Sequence, residues 1–432
     1  MSSQKSNKLS RREFITAGAT AATALGAFPF VRTGLAQQRN LRVGVIGAGG
    51  RGTGACSNAI EAGKGSVDLV AMADVAPEQL EKSLNALKTG SRELQGELQK
   101  NLKVEKDHMF SGDEAWKQLL ALDDLDYVIL TTPPGFRPLH FEEAVKRGKH
   151  IFAEKPVATD PVGCRKVKTS AQAARDKGLS VVVGLQSRYD PGIQETIKRI
   201  QDGAIGQFSS GSIHRLGGYL WHRGNNPSWS EMEYQCRNWY YWVWLSGDQI
   251  VEMVVHLVDK MNWALGSNPV SAIANGGRQV RTDPKYGNIY DHMSVDYEYP
   301  NGVHVYCMMR QIENCEFKMG TSVVGTLGES DISTTIRGQN RFRYREKHNT
   351  TVLEHAVLQD SIRKGLARND ALDYAADSTL ACIMGREAAY TGKTVTWDEM
   401  VNSDLSLVPD GYHFSTIPPK RPVAMPGTPR PV

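Results

Sequence analysis

Gly47-Ala48-Gly49-Gly50-Arg51-Gly52 is the first run whose residue types and spacing carry chemistry. It matches G-x-G-x-x-G, follows an apolar segment, and is answered by Asp74, 22 residues beyond Gly52. In that pattern Gly47 permits a tight turn, Gly49 lets the backbone approach a pyrophosphate, and Gly52 lets a helix pack closely on a strand. The turn, with Gly50 and Arg51 in it, leads into a helix whose N-terminus offers N–H donors and partial positive charge to phosphate oxygens. Asp74 is placed to accept hydrogen bonds from adenine-ribose hydroxyls and to repel a 2′-phosphate, which favours NAD over NADP. Arg51 as a phosphate contact would soften that preference. A glycine-rich turn with no ligand is the alternative.

A second constellation lies in residues 249–264. Glu252, His256 and Asp259 stand at i, i+4 and i+7, one face of a helix otherwise built from Ile250, Val251, Met253, Val254, Val255, Leu257 and Val258. Ionisable groups in so apolar a helix are either paired with one another or functional. A third is aromatic: five of the eight tryptophans fall between Trp221 and Trp244, among Tyr219, Tyr234, Tyr240 and Tyr241 and the polar His222, Arg223, Arg237 and Asn238. Aromatic faces beside polar forks suit the C–H face and hydroxyls of a pyranose, so Arg237 and Trp239 are candidate substrate contacts. Packing in a core or subunit interface is the alternative for Trp239. Asp291 and His292, just before a strand, are expected at the cleft or at a polar strand edge.

The elements that must position these groups follow from periodicity. Residues 41–46, 67–73, 127–130, 150–153 and 180–185 read as short, uniformly apolar strands, and 52–62, 77–87, 113–122, 138–147 and 161–177 as helices between them. The alternation predicts an α/β doubly wound parallel sheet of the Rossmann type over residues 38–187. Residues 188–416 read differently, with a helix near 192–201, longer alternating strands at 207–214, 270–279, 293–299, 303–310, 317–324 and 331–336, and helices at 352–364 and 370–391. That pattern predicts an α+β domain with an open, mostly antiparallel sheet. The last stretch, 417–432, holds six of the 19 prolines and no acid, and reads as an extended arm.

Thr132-Pro133, His140, Ala153-Glu154-Lys155-Pro156, Gly184-Leu185-Gln186-Ser187-Arg188-Tyr189-Asp190-Pro191 and Gly325-Thr326-Leu327-Gly328 add a specific pattern. With them the chain, from Leu41 to about Trp397, resembles the glucose–fructose oxidoreductase and inositol dehydrogenase group, the Gfo/Idh/MocA family. The resemblance implies that Lys155 lies beside a nicotinamide and that Thr132, Pro133, His140, Glu154 and Gln186 line the cofactor site. It also implies catalytic residues on a second-domain helix reading Asp-x-x-x-His, matched here by Glu252 and His256, with Glu in place of the usual Asp. Asp259, Arg188 and Tyr189 fall to the substrate side. Expected chemistry is hydride transfer, with His256 as general base and Lys155 stabilising a developing alkoxide.

Ser10-Arg11-Arg12-Glu13-Phe14-Ile15 resembles a twin-arginine export signal, followed by a weakly apolar stretch to Val31 and small residues near Ala36. Residues 1–36 are therefore expected to be a signal peptide for the twin-arginine machinery, the mature protein periplasmic, and a stable membrane span absent. Five of the 51 basic and one of the 47 acidic residues lie in that leader, leaving 46 of each, so the body has no field to draw nucleic acid. Six scattered cysteines without a C-x-x-C pair give no metal signature. Outside the cytoplasm no free NAD pool exists, so a tightly bound NAD (or NADP) restored in place is expected. That leaves a sugar oxidoreductase, a glycosidase working by transient oxidation, or a non-catalytic sugar-binding protein. Homodimers or homotetramers through the open sheet are implied by the family.

Overall fold

The Rossmann half forms because its strands are too apolar to face water on either side. The structure, a computed structural model, describes residues 39–90, 96–409, 411–419 and 421–428. The expected leader lies outside the described residues, and the fold is that of the unit Asn40–Val432. In chain order come β1 (Leu41–Ile46), α1 (Gly50–Gly63), β2 (Val67–Asp74), α2 (Pro77–Thr89), β3 (Met109–Ser111), α3 (Ala115–Leu120), β4 (Tyr127–Leu130), α4 (Arg137–Lys146), β5 (His150–Ala153), α5 (Pro161–Asp176) and β6 (Val181–Val183). The six strands are parallel in the order β3-β2-β1-β4-β5-β6. Val43, Val45, Ile129, Phe152 and Val182 enter one core with α1, whereas Val128, Leu130, Ile151, Val181 and Val183 enter the other, so both faces are buried. The edge strand β3 carries no apolar run, which is why the sequence pattern does not announce it. Asp160 caps α5 by accepting from Gly163 N at 2.6 Å, with Pro161 in the first turn.

The second half comprises α6 (Pro191–Gln201), β7 (Phe208–Gly217), α7 (Glu231–Arg237), α8 (Val243–Ser246), α9 (Asp248–Leu265), β8 (Ser271–Gly277), β9 (His292–Glu298), β10 (His304–Gln311), β11 (Lys318–Gly325), β12 (Gly328–Ser330), β13 (Thr335–Gly338), β14 (Phe342–Arg343), α10 (Thr350–Lys364), α11 (Ala376–Thr391), β15 (Val395–Thr396) and α12 (Trp397–Asn402). Nine strands form one sheet in the order β14-β13-β12-β11-β7-β10-β9-β8-β15, antiparallel except where β10 lies parallel to β7. Along β10, Val305, Cys307 and Met309 are buried while His304, Tyr306 and Met308 are exposed, the period-2 signature of a sheet covered on one face.

Three differences from the sequence expectation have physical causes. Of the strand expected at 331–336 only Thr335 and Ile336 enter a strand, β13, because Asp331 accepts from the backbone N–H of Ser333, Thr334 and Thr335 and folds the chain into a turn. Helix α10, although late in the chain, returns to the first sheet: Gln359 donates to Ala59 O on α1 at 2.8 Å, and Val181 N of β6 donates to Arg368 O at 2.6 Å. The described part of the proline-rich arm has no regular structure but lies along its own chain, where Asn288 donates to Arg421 O and Tyr290 to Ala424 O. No helix among the described residues is long and apolar enough to cross a membrane.

Candidate active site

The glycine turn connects β1 to α1 at the carboxyl edge of the parallel sheet, where ligands of such folds bind. Gly47 has φ +99°, and a Cβ on Gly52 would lie 1.9 Å from Gly47 O. A side chain is therefore excluded at both. Around Gly49 and Gly50 the space is open to beyond 4 Å, which leaves their backbone free to face a ligand. At the end of β2, the Asp74 carboxylate accepts from Ala48 N at 2.7 Å and Ala76 N at 3.0 Å, spanning the glycine turn. Burial raises its pKa and the two backbone N–H groups oppose that rise. Each of its oxygens keeps a lone pair for a ribose hydroxyl.

A cleft of about 1110 Å³ opens from this turn. Gly47, Gly49, Asp74, Thr132, Pro133 and His140 line it on the sheet side. Thr132 Oγ1 and His140 Nδ1 are 3.1 Å apart, and His140 packs between Trp116 and Phe136. Burial, reinforced by the Arg137 charge, pulls the His140 pKa down to about 3, so this ring is neutral. An aromatic-walled cleft, open backbone at a helix N-terminus and a carboxylate at the end of β2 fit a dinucleotide.

Lys155, Glu252 and His256 are not part of that wall; they form a separate cluster where the two halves of the chain meet. Lys155, on the loop leaving β5, donates from Nζ to Glu252 Oε1 and to Glu252 O, each at 2.8 Å. Glu252 and His256 lie on α9, whose start is fixed by positive φ at Gly247 and Asp248 and by Tyr290 N donating to the buried Asp248. Beneath the loop, buried Arg137 donates to the carbonyls of both Thr132 and Pro156, tying the two loops together. Nothing in the spacing around Arg137 announced that role.

Two buried polar atoms of this cluster, Glu252 Oε2 and His256 Nδ1, have no hydrogen-bond partner among the described residues. Burial, followed by the Lys155 and Lys260 charges, takes His256 down to a pKa of about 3. Burial raises Glu252 above the usual carboxylate range, while Lys155 pulls the other way. The site thus brings together the Lys155 side chain, a neutral imidazole and a carboxyl of raised pKa, with two buried polar atoms left unpaired among the described residues. A buried polar atom without a partner costs about 1–3 kcal/mol, which a ligand hydroxyl would relieve.

Several expected substrate contacts are engaged inside the protein instead. Asp259 is completely buried, held by Arg188 at 2.8 and 2.9 Å and by Ser378 Oγ at 2.8 Å. The Arg188 guanidinium stacks on Trp263 and Tyr374. Tyr189 is buried with its hydroxyl on Asp370. Asp291 is also completely buried; its Oδ2 gathers the N–H groups of Gln279, Val280 and Arg281, and its Oδ1 meets His292 Nδ1 at 2.7 Å. Helical or strand spacing alone does not tell which way a side chain turns, so these internal partners leave no mark in it. Arg51 pairs with Glu154 at 2.7 Å rather than standing alone at the phosphate turn. Arg237 and Trp239 line the dinucleotide cleft, not the Lys155 cluster. Gln186 opens the short helical turn Gln186–Tyr189 after β6.

Comparisons with known proteins agree with this architecture. The NAD-binding Rossmann domain of the Gfo/Idh/MocA oxidoreductase family matches residues 41–185, and the C-terminal domain of the same family matches residues 193–330. An inositol 2-dehydrogenase of Rhizobium meliloti is 29% identical over 175 residues, 40% of this chain and 46% of that protein. The match thus spans about half the length of that curated relative. An aldose–aldose oxidoreductase from Caulobacter crescentus superposes with a TM-score of 0.62 at 21% identity, over 83% of this chain and 100% of that one. A dehydrogenase from Bordetella pertussis, solved with NADH, gives 0.61 at 18% identity over 83% and 98% of the two chains. At such identities the likeness is one of fold. With two domains of one family matched in order, and the glycine turn standing where its nucleotide domain requires it, the chain belongs to the Gfo/Idh/MocA oxidoreductase family and carries its NAD-binding Rossmann domain.

Proposed function

We propose that this protein is an NAD(P)-dependent oxidoreductase that moves a hydride between a hydroxyl-bearing carbon of a sugar, polyol or glycoside and a tightly held dinucleotide. The observation that carries the reading is the meeting of Lys155, on the loop leaving β5, with Glu252 on α9, beside the unpaired buried atoms of Glu252 and His256. When bound, the dinucleotide supplies the hydride acceptor; Gly47, Gly49 and the start of α1 would hold its phosphates and Asp74 its ribose. The work left to the side chains is orientation and proton handling. The Lys155 ammonium, anchored by Glu252, hydrogen-bonds an oxygen that is gaining negative charge. His256, neutral at any pH above about 3, accepts the hydrogen of the reacting hydroxyl through a ring nitrogen. A ring so weakly basic does not keep the proton, and the elevated carboxyl of Glu252, one helical turn away, is the stronger resting place.

Purified protein incubated with inositols, aldoses and glycosides tests the reading, with keto-product measured against released aglycone. Keto-product supports the dehydrogenase; aglycone with no net redox change marks the glycosidase. Lys155→Met and His256→Ala are each expected to lose about 10²- to 10⁴-fold in turnover. Undiminished hydride transfer in both variants overturns the proposal. Export by the twin-arginine route to the periplasm is part of the same proposal, supported by Arg11-Arg12 and the stretch that follows. Self-association through the uncovered face of the nine-stranded sheet is another part, supported by the exposure of Ile273, Tyr306 and Met308.

A further inference from the structure

We infer that the segment carrying Arg237 and Trp239, together with the turn carrying Tyr412 and Phe414, forms a roof that closes the adenosine end of the cleft and slows release of the dinucleotide. The inference rests on the function proposed above and adds residues that neither the glycine motif nor the Lys155 motif contains.

The floor of the cleft comes from the parallel sheet and the wall beyond it from Trp116 and Phe136, but the opposite side is built by Arg237, Trp239, Tyr412 and Phe414. These four residues come from two segments about 175 positions apart in the chain, and both are tied to the floor. Arg237 Nη1 reaches Glu78 Oε1 at 2.7 Å, in the first turn of α2 just past Asp74, while its Nε is held by Glu233 at 2.8 Å. On the other flank Phe414 N donates to Asp113 Oδ2 at 3.0 Å, beyond β3, and the Tyr412 ring packs on Phe136 with centroids 5.2 Å apart. A flat purine is recognised by aromatic faces, and this end of the cleft supplies them from wall and roof. Asp74 completes the ribose side, where the Arg237 charge acts on it.

A base seated under such a roof leaves only after the Arg237–Glu78 pair and the Phe414–Asp113 bond open. Affinity differences of this kind appear mainly in the dissociation rate. The ion pair is screened by salt, so release should quicken as ionic strength rises. The aromatic cluster of residues 219–244, expected to be a sugar platform, serves at least through Trp239 as cover for the nucleotide.

The test is dinucleotide exchange on the full chain. Protein is loaded with NADH, desalted, and chased with excess ADP-ribose, following tryptophan-sensitised NADH fluorescence. Phe414→Ala should release NADH about tenfold faster than wild type, equivalent to about 1.4 kcal/mol. Glu78→Gln, a change at an exposed position that conserves shape, should release it about two- to fivefold faster and abolish the salt dependence of the rate. Circular dichroism establishes that each variant is folded. Wild type that binds NADH but exchanges it no more slowly than both variants, with no salt dependence, overturns the roof and leaves the proposed function standing. Wild type that binds neither NAD(H) nor NADP(H), whether as purified or after loading, overturns both.

Discussion

At the scale of the residue, two carboxylates on one helical face have opposite fates. Glu252 and Asp259 stand seven positions apart on α9, yet Glu252 keeps an open oxygen beside Lys155 while every oxygen of Asp259 is engaged. The pH dependence of the proposed hydride transfer should therefore report Glu252. Its pKa is raised, so the ionised, proton-accepting form is present above that value and is lost as pH falls through it. An acid limb above the usual carboxylate range is expected, with turnover rising with pH. Glu252→Gln should remove that limb; His256→Asn should lower turnover and leave the limb in place, because His256 does not titrate above about pH 3. A limb that vanishes in His256→Asn and survives in Glu252→Gln would reverse the assignment. Asp259→Ala should act on stability instead, since it leaves the Arg188 guanidinium without its charge partner in a buried site. The expected cost is about 3–5 kcal/mol, read as a lowered thermal midpoint.

At the scale of the element, the β1–α1 turn is the most constrained piece of backbone in the nucleotide site. Gly52→Ala must push the turn open, because its Cβ would stand 1.9 Å from a backbone oxygen that has no room to move away from Thr131. Isothermal titration should show dinucleotide affinity reduced by at least about tenfold with the far-ultraviolet spectrum unchanged. Gly49→Ala, where the added Cβ meets nothing within 4 Å, should fold equally well and lose affinity only through contact with the ligand. Helix α9 is the other element on which the proposed function depends. Gly247 and Asp248 turn the chain with positive φ into its first turn, and that turn aims Glu252 and His256 back at the loop leaving β5.

At the scale of the whole molecule, the nine-stranded sheet is covered by α9 and α11 on one face only. The other face presents Ile273 on β8 and Tyr306 and Met308 on β10, on either side of β9, each more than 40% exposed. Exposed apolar side chains on an open sheet support the proposed self-association. Size-exclusion chromatography with light scattering should give a multiple of the 47.7 kDa chain, less any cleaved leader. Tyr306→Lys together with Met308→Lys should shift it toward the monomer. A wild type that runs as a monomer at micromolar concentration would contradict this.

Much of this molecule is written locally. Leu41–Ile46, Tyr127–Leu130 and His150–Ala153 are strands to the residue because apolar runs of that length can be satisfied only inside a parallel sheet. Gly47 and Gly52 are legible because only glycine fits a turn that close. Local pattern also brings Glu252, His256 and Asp259 onto one face, but it does not say which of them meets Lys155 and which is spent on Arg188. That choice belongs to contacts between segments 97 and 71 residues apart, which leave no periodic trace in the chain. The same holds for Arg137 under two loops, for α10 returning to the first sheet, and for Arg237 and Phe414 closing over Asp74. Sequence specified the parts and one binding turn; the packing of the second half against the first decided which side chains remain available for chemistry.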